Sequence, residues 1–313
     1  MNKVSTIENR VLILLPLLNE EAMVGRCLEA VIKQSYSNWI LVCQDNCSSD
    51  STLLKIQSFS AREPRVIVEH LKQRVTAAEN WNSLARMALL QYESGFVCWL
   101  GGDDYWLEAD YLAKLVKALD APGGKMSAPS FQKVSFSNEL ISMPYNLQLE
   151  GFTKTSRTLS VLRWKRDGLS IIYSMYTRVC FEDIYRQGGA MSDYLGSDIW
   201  WAYVAILQGK VINVPSVHFH KTTLTYNKHN IRPLTPKRSR EKGRLISKLG
   251  NVIWKWKQQS NLFSNLIIKE RYRFKVLKDP TLPIFITWIF ALTIFKTLKF
   301  PFDGIVHRAK KLR

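Results

Sequence analysis

Long hydrophobic runs are missing from this 313-residue sequence. The most extended apolar run, Leu282 to Phe295, holds 14 residues, short of the ~20 that a transmembrane helix needs. Val11 to Leu18 is shorter still and leads into Asn-Glu-Glu instead of a small-residue cleavage site, so no export signal is expected. Cysteine is sparse and odd in number, at positions 27, 43, 47, 98 and 180, with no Cys-x-x-Cys pair. That excludes zinc ribbons and dithiol redox motifs and implies reduced, cytosolic thiols. Neither Gly-x-Gly-x-x-Gly nor a Gly-Lys-Ser/Thr run occurs, so a dinucleotide enzyme or a P-loop ATPase would lack its phosphate cradle. No internal repeat or low-complexity tract is apparent. Acidic residues are nearly absent from the C-terminal quarter: residues 232–313 hold 20 Lys+Arg against 4 Asp+Glu, a net of +16, out of +18 for the whole chain.

What is present is the raw material of a large folded domain. Hydrophobic content of 46% and aromatic content of 12% exclude a disordered chain. "VLILLPLL" is a short continuous apolar run, the mark of a strand buried on both faces. "NEEAMVGRCLEAVIKQS" follows with a helical stripe through Met23, Leu28, Val31 and Ile32. "NWILVCQD" and "RVIVEH" read as further strands, separated by a helix around Leu53 to Phe59 that Ser or Asp caps. "TAAENWNSLARMALLQYE" reads as a helix and "GFVCWL" as a fourth strand. Four alternations of strand and helix predict an α/β fold with a mostly parallel, twisted sheet flanked by helices. The middle, from Gly124 to Tyr176, is less regular, with strand-like pieces "KVSFS" and "LSIIYSMY". "SDIWWAYVAILQG" predicts a strong helix and "KVINVPSVHFHKT" a last strand. A boundary near residue 235 separates a domain of 1–235 from a basic helical appendage of 236–313.

In such sheets ligands bind outside the carboxyl ends of the strands. The polar clusters "NEE", "DNCSSD" and "GGDD" each follow a predicted strand. Asp103 and Asp104, set side by side after Gly101 and Gly102, suit a hard divalent cation, Mg²⁺ or Mn²⁺, that also holds a diphosphate. An Asp pair in an Asx-type turn is the alternative. Asp45 could accept hydrogen bonds from a nucleobase or ribose, whereas Asp50 fits a helix cap or turn. Lys72 or Arg74 would add positive charge for phosphate.

These residues resemble family 2 glycosyltransferases over about residues 10–225. "PLLNEEAMVGRCLEAVIKQSYSNW" is similar to the family's opening, "VCQDNCSSDST" to its nucleotide-binding strand end and "WLGGDDYW" to its Asp-x-Asp-Asp metal region. Gly101 replaces the first aspartate of that pattern. "LGSDIWW" resembles the segment of the catalytic base, with Asp198 in the Asp position. The resemblance implies a GT-A fold and an inverting enzyme that moves a sugar from a nucleotide-diphosphate donor to a hydroxyl acceptor. It implies Asp198 as base and donor contacts at Pro16, Leu17, Leu18, Asn19, Glu20 and Asp45. Lys72, Asn80, Asn82, Gly102, Asp103 and Asp104 complete that donor set. It further implies a divalent cation on Asp103 with His220, or alternatively His218, completing the shell. For Asp198 a plain helix N-terminal aspartate is the alternative, for the histidines a surface strand. Trp81 is a donor contact or helix packing, and Trp200 and Trp201 an acceptor platform or core.

The tail mixes Lys and Arg with Trp, Ile, Leu and Phe, which reads as amphipathic helices on an anionic membrane surface. The expected setting is cytoplasmic, peripheral to the inner face of the membrane, with a glycan or lipid-linked acceptor and a role in cell-surface polysaccharide or lipopolysaccharide synthesis. A solvated helical annex is the alternative for the tail. Competing functions are a nucleic-acid-binding protein, disfavoured because residues 1–231 carry only +2, a nucleotidylyltransferase-like protein, and an inactive sugar-nucleotide binder. No nucleic-acid partner is expected.

Overall fold

A computed structural model describes residues 7–147, 149, 153–163, 167–189, 191, 197–222, 280 and 283. Residues 1–193 and 197–231 form one compact unit, to which the following description applies. The basic appendage of 236–313 lies outside the described residues apart from Pro280 and Pro283.

Strand β1 (Val11–Leu17) is buried at every position, as its unbroken apolar sequence requires. Burying each leucine or isoleucine of this strand contributes about 1.5–3 kcal/mol. It lies between β2 (Trp39–Asp45) and β4 (Phe96–Trp99), parallel to both, and β3 (Val66–His70) extends the parallel set beyond β2. Helix α1 (Val24–Ile32) buries Val24, Cys27, Leu28 and Val31, the i, i+3, i+4, i+7 stripe of an amphipathic helix. Helix α2 (Thr52–Ser60) joins β2 to β3, and α3 (Ala77–Gln91) joins β3 to β4. The start of α3 is local chemistry: the Thr76 hydroxyl accepts from the Glu79 N–H at 3.2 Å, half of a Thr-x-x-Glu capping box.

The steps β1 to β2 and β2 to β3 move one way across the sheet, and β3 to β4 steps back past β1. Right-handed crossovers therefore place α1 and α2 on one face and α3 on the other. Strand order reverses between β1 and β4, and in open α/β sheets the crevice outside the carboxyl ends at such a point is where ligands bind.

Beyond β4 the sheet stays mostly parallel but takes in two short antiparallel strands. Short β5 (Tyr105–Trp106) is followed by helix α4 (Tyr111–Leu119), β6 (Met126–Val134), α5 (Lys154–Arg163), β7 (Met175–Thr177), α6 (Arg178–Ile184), α7 (Ser197–Gln208) and β8 (Val211–Thr222). The full order is β3-β2-β1-β4-β7-β6-β8-β5. β7 is antiparallel to both β4 and β6, β8 is parallel to β6, and β5 is antiparallel to β8. Of "LSIIYSMY" only Met175 and Tyr176 are strand, the first two residues of β7; Asp167–Tyr173 forms a 3-10 helix. The "KVSFS" strand begins earlier than expected, at Met126, and ends at Val134.

Behind the sheet, Trp99, Phe181, Tyr176 and Trp201 make one aromatic core. Trp201 sits 5.4 Å from Phe181, and its indole N–H donates to the Tyr176 hydroxyl at 3.2 Å. With Trp201 fully buried and Trp200 6% exposed, the pair is core and not an acceptor platform. A helix that is apolar all round can only be buried.

Candidate active site

The ends of β1 and β2 are stitched together by their own polar residues. Asn19 takes a left-handed conformation, φ 56°, which asparagine tolerates better than most residues. Its N–H donates to Ser48 Oγ at 2.9 Å, and its Oδ1 accepts from the Ser49 N–H at 2.8 Å. Glu20 N–H donates to Thr52 Oγ1 at 2.7 Å, and Glu21 receives the Ser51 N–H at 2.8 Å. Asp50 caps the start of α2, accepting from the Thr52 N–H at 3.0 Å. The "NEE" and "SSDST" clusters are thus each other's partners and form one wall of the crevice.

Asp45 closes β2 with its side chain fully buried. One oxygen, Oδ2, accepts from the Ser48 N–H at 3.1 Å and pairs with His70 Nδ1 at 3.0 Å. The other, Oδ1, is buried with no hydrogen-bond partner among the described residues. Buried polar atoms are rarely left so, which singles out Asp45 Oδ1 as a candidate contact. Next to it, Asn46 grips the Val75 backbone with both amide groups, at 3.0 and 2.8 Å. This fixes the loop that carries Lys72, which is exposed. Gln44 donates to the Asn80 carbonyl and to its Oδ1, each at 2.8 Å, and Asn80 Nδ2 reaches the Leu17 carbonyl at 3.5 Å. Asn82 exchanges two hydrogen bonds with the Met191 backbone, at 2.8 and 2.9 Å. Its amide therefore holds the Met191 backbone with its oxygen and one of its two N–H donors.

The turn after β4 explains the adjacent acids. A Cβ on Gly101 would lie 2.8 Å from Asp104 Oδ2 and 3.0 Å from Asp103 Oδ1, so both carboxylates fold over the space that glycine leaves. A Cβ on Gly102 would lie 2.5 Å from Leu17 Cδ2 and 2.8 Å from Glu20 Cγ. The turn backbone is therefore pressed against the end of β1, bringing Glu20 to the pair. Three acids in a partly buried site disfavour one another's charge. Burial and the Asp103 charge raise Glu20 from its ordinary 4.5 to about 7. Burial also raises Asp103, against the pull of Lys221 and Arg26, and burial with the Asp103 charge raises Asp104 well above its usual range.

This has a pH consequence. Glu20 titrates near 4.5 when unfolded and near 7 when folded, so the folded chain binds more protons between these values. Its contribution to stability is present below about pH 4.5 and is lost as pH rises through about 7. We expect the cation-free melting temperature to fall between pH 5 and pH 8, and Glu20→Gln to flatten that fall; identical pH profiles for both proteins would refute the placement of Glu20.

The far wall comes from β8 and α1. Thr222 N–H donates to Asp104 Oδ1 at 2.8 Å. Arg26 Nη2 donates to Thr222 Oγ1 at 3.1 Å and to the Asp103 carbonyl at 3.4 Å, while its guanidinium lies 4.1 Å from the Tyr105 ring centroid. Tyr105 is directly opposite His220 in the β5–β8 pair, and its hydroxyl meets His220 Nδ1 at 2.8 Å. Burial, its largest influence, lowers the His220 pKa. Its Nε2 is buried without a partner among the described residues. His218 is occupied instead: Glu108 receives its N–H at 2.6 Å and meets its Nδ1 at 2.5 Å. Both histidines engage a partner through Nδ1; of the two, His220 is the one whose Nε2 is buried without a partner among the described residues.

Among the described residues no group of three or more His, Cys, Asp or Glu side chains could by itself hold a metal. The residues nonetheless fit a hard cation that binds through one or two carboxylates and takes its other ligands from phosphate and water. Asp103 and Asp104 converge on one point over Gly101 and supply that minimum. Beside them Lys221 Nζ lies 4.9 Å from the Tyr173 ring, and Trp81 packs 4.6 Å from Trp99. Asp198 is the second residue of α7. The motifs at the ends of β1, β2 and β4 thus share one rim. Arg26, Tyr105, Glu108, Lys221 and Thr222 had no sequence signal, because their partners lie up to 196 positions away.

The sequence model described as Glycosyl transferase family 2 matches residues 12–185. The chain belongs to this family. Among its curated relatives is WfgD of Escherichia coli, described as a UDP-Glc:alpha-D-GlcNAc-diphosphoundecaprenol beta-1,3-glucosyltransferase. The two are 33% identical over 97 residues, 30% of this chain and 35% of WfgD. TuaG of Bacillus subtilis, a putative teichuronic acid biosynthesis glycosyltransferase, is 27% identical over 94 residues, 30% of this chain and 36% of TuaG. The matches span about a third of either relative. Among solved structures, S. aureus TarS 1–349 gives a TM-score of 0.54 at 18% identity, covering 68% of this chain and 60% of TarS. Its complex with UDP-GlcNAc gives 0.54 at 16% identity, covering 89% and 79%. At such identity the likeness shows the fold, which is the GT-A arrangement.

Proposed function

We propose that this chain transfers a sugar from a nucleoside diphosphate donor to a hydroxyl acceptor, with inversion, in the assembly of a cell-surface glycan. The observation that carries this reading is the shared rim: a buried carboxylate with one unpaired oxygen, Asp45, and a carboxylate pair over a glycine, Asp103 and Asp104. Asp45 Oδ1 accepts an N–H from the base. Asn19, Glu20 and the β1 end form the adjoining wall against which the nucleoside rests. Asp103 and Asp104 would hold Mg²⁺ or Mn²⁺, with His220, two positions before Thr222 on β8, as a further ligand. Such an ion supplies counter-charge to the leaving diphosphate. Lys221 and Arg26 add positive charge to the same turn. Asp198 takes the proton of the acceptor hydroxyl as it attacks the anomeric carbon from the face opposite the diphosphate, which inverts that centre.

The printed name of WfgD, with its diphosphoundecaprenol acceptor, supports a lipid-linked acceptor here. Complexes of TarS with UDP and UDP-GlcNAc support UDP-sugars as the first donors to try. Residues 1–235 would form the transferase and residues 236–313 a basic region against the anionic inner face of the membrane. No helix among the described residues is long and apolar enough to cross a membrane.

The test is release of free nucleoside diphosphate from UDP-, GDP- and dTDP-sugars with Mg²⁺ or Mn²⁺ present; a failure of every donor to react would overturn the reading. Asp45→Asn should raise the donor KM about tenfold or more, since a hydrogen bond to a charged group is worth roughly 1.5–3 kcal/mol. An unchanged KM would remove Asp45 from the donor site.

A further inference from the structure

We propose that the hairpin of residues 134–145 is a membrane-contact element, seating its apolar side chains in the lipid surface that carries the acceptor. The inference rests on the lipid-linked acceptor proposed above and names the part of the chain that meets that surface. The other large exposed hydrophobic side chains, such as Leu54, Leu90 and Val179, are scattered singly over the fold, as on any soluble domain. Here four stand within eight residues: Phe136 is 52% exposed, Leu140 65%, Ile141 45% and Met143 84%.

Their mounting is rigid. Phe131 and Tyr145 exchange backbone hydrogen bonds at 2.8 and 2.9 Å, Ile141 N–H donates to the Lys133 carbonyl at 2.9 Å, and Ser135 N–H to the Glu139 carbonyl at 2.8 Å. Asn138 makes the tip in a left-handed conformation, φ 67°. These bonds pair part of the hairpin's backbone internally, and a hairpin held in place loses little entropy on docking.

Placement decides the occupant. β6 is antiparallel to β7, which is antiparallel to β4, so β6 runs with β1–β4 and its carboxyl end lies on the same rim. Val134, where the hairpin begins, is paired with Thr222, and Thr222 holds Asp104. The exposed apolar side chains therefore stand beside the mouth of the donor site, where an acceptor hydroxyl has to arrive. Between Val134 and Tyr145 the one ionisable side chain is Glu139, so the hairpin offers a bilayer apolar area and almost no charge. The attraction to anionic lipid is placed elsewhere, in residues 232–313 with their +16. Salt screens only the electrostatic attachment, and substitution of the hairpin's side chains then separates its apolar share from that of the tail.

The experiment is flotation of the full chain with phosphatidylcholine vesicles, with and without phosphatidylglycerol, at low salt and at about 1 M salt, where the Debye length is ~3 Å. The wild type should retain a salt-resistant bound fraction. The triple variant Leu140→Ser, Ile141→Ser, Met143→Ser should lose most of that fraction. Its melting temperature and its nucleoside diphosphate release with a short water-soluble acceptor should stay unchanged. Wild-type binding that vanishes at high salt, or a triple variant that floats like the wild type, would overturn the proposal and leave the hairpin to a protein partner. If the triple variant misfolds, Met143→Cys carrying an environment-sensitive fluorophore replaces it, read against the wild type labelled in parallel. A blue shift on vesicles supports insertion, and unaltered emission defeats it. Absence of transfer by the wild type would bear on the enzymatic reading alone, since flotation does not depend on turnover.

Discussion

Asp198→Asn is expected to lower sugar transfer by about two to four orders of magnitude, the usual worth of a positioned general base, while the donor dissociation constant stays within a factor of about two. Asparagine keeps the shape of the side chain and loses the ability to take a proton, so the acceptor hydroxyl would have to attack without assistance. The position is informative because it also suits a purely structural role: a negative charge in the first turn of α7 interacts favourably with the helix dipole, worth about 0.3–1 kcal/mol. A structural role and a catalytic role therefore separate cleanly in the measurement. Donor binding by calorimetry, melting temperature and single-turnover transfer would be compared for the two proteins. A variant that turns over near the normal rate but melts a few degrees lower would assign Asp198 to helix capping alone.

Asp103→Asn should weaken Mn²⁺ binding and cut transfer about a hundredfold or more, the scale on which removal of one group opposing transition-state charge is felt. Gly101→Asp is the sharper companion. It restores the acid that the family pattern carries at this position, yet it should lower cation affinity and activity further instead of improving them. The reason is steric and electrostatic together. The new Cβ would sit 2.8 Å from Asp104 Oδ2 and 3.0 Å from Asp103 Oδ1, closer than carbon and oxygen approach without displacement. It would also add charge to a turn where Glu20 is already raised to about 7. Titration of each variant with Mn²⁺, followed by its paramagnetic signal, reads the site without relying on turnover. Tighter Mn²⁺ binding by Gly101→Asp would show that the glycine is a defect in the cation site and not the device that lets two carboxylates share it.

Much of the first half of the fold is readable in the chain because its signals are local. A short apolar run bounded by turn residues reads as a strand covered on both faces, and a Thr-x-x-Glu start or an i, i+3, i+4, i+7 stripe needs nothing beyond its own helix. The sites at the ends of β1, β2 and β4 follow from the same logic, since parallel strands joined by helices present their carboxyl ends on one side. The second half is less legible for a physical reason. β7 is three residues long, β5 two, and their directions are set by partners far along the chain. The alternation in "SVHFH" places His218 and His220 on one face, but only the neighbouring strand and turn separate them. Glu108 sets a carboxylate against His218, and Tyr105 pairs with His220, whose remaining nitrogen is buried and unpaired among the described residues.

By itself the sequence determined that an α/β domain with acidic strand ends would be built, that Asp45, Asp103 and Asp104 would lie at such ends, and that basic charge would be concentrated after residue 231. These are properties of period, composition and order along the chain. Tertiary structure alone decided which oxygens and nitrogens stay unpaired, that Asp103 and Asp104 fold over Gly101, that Asn82 serves the backbone of Met191, and that an apolar hairpin rises beside the rim. Those outcomes depend on distances between residues up to 196 positions apart, and a distance across a folded core is fixed by packing, which no local pattern encodes.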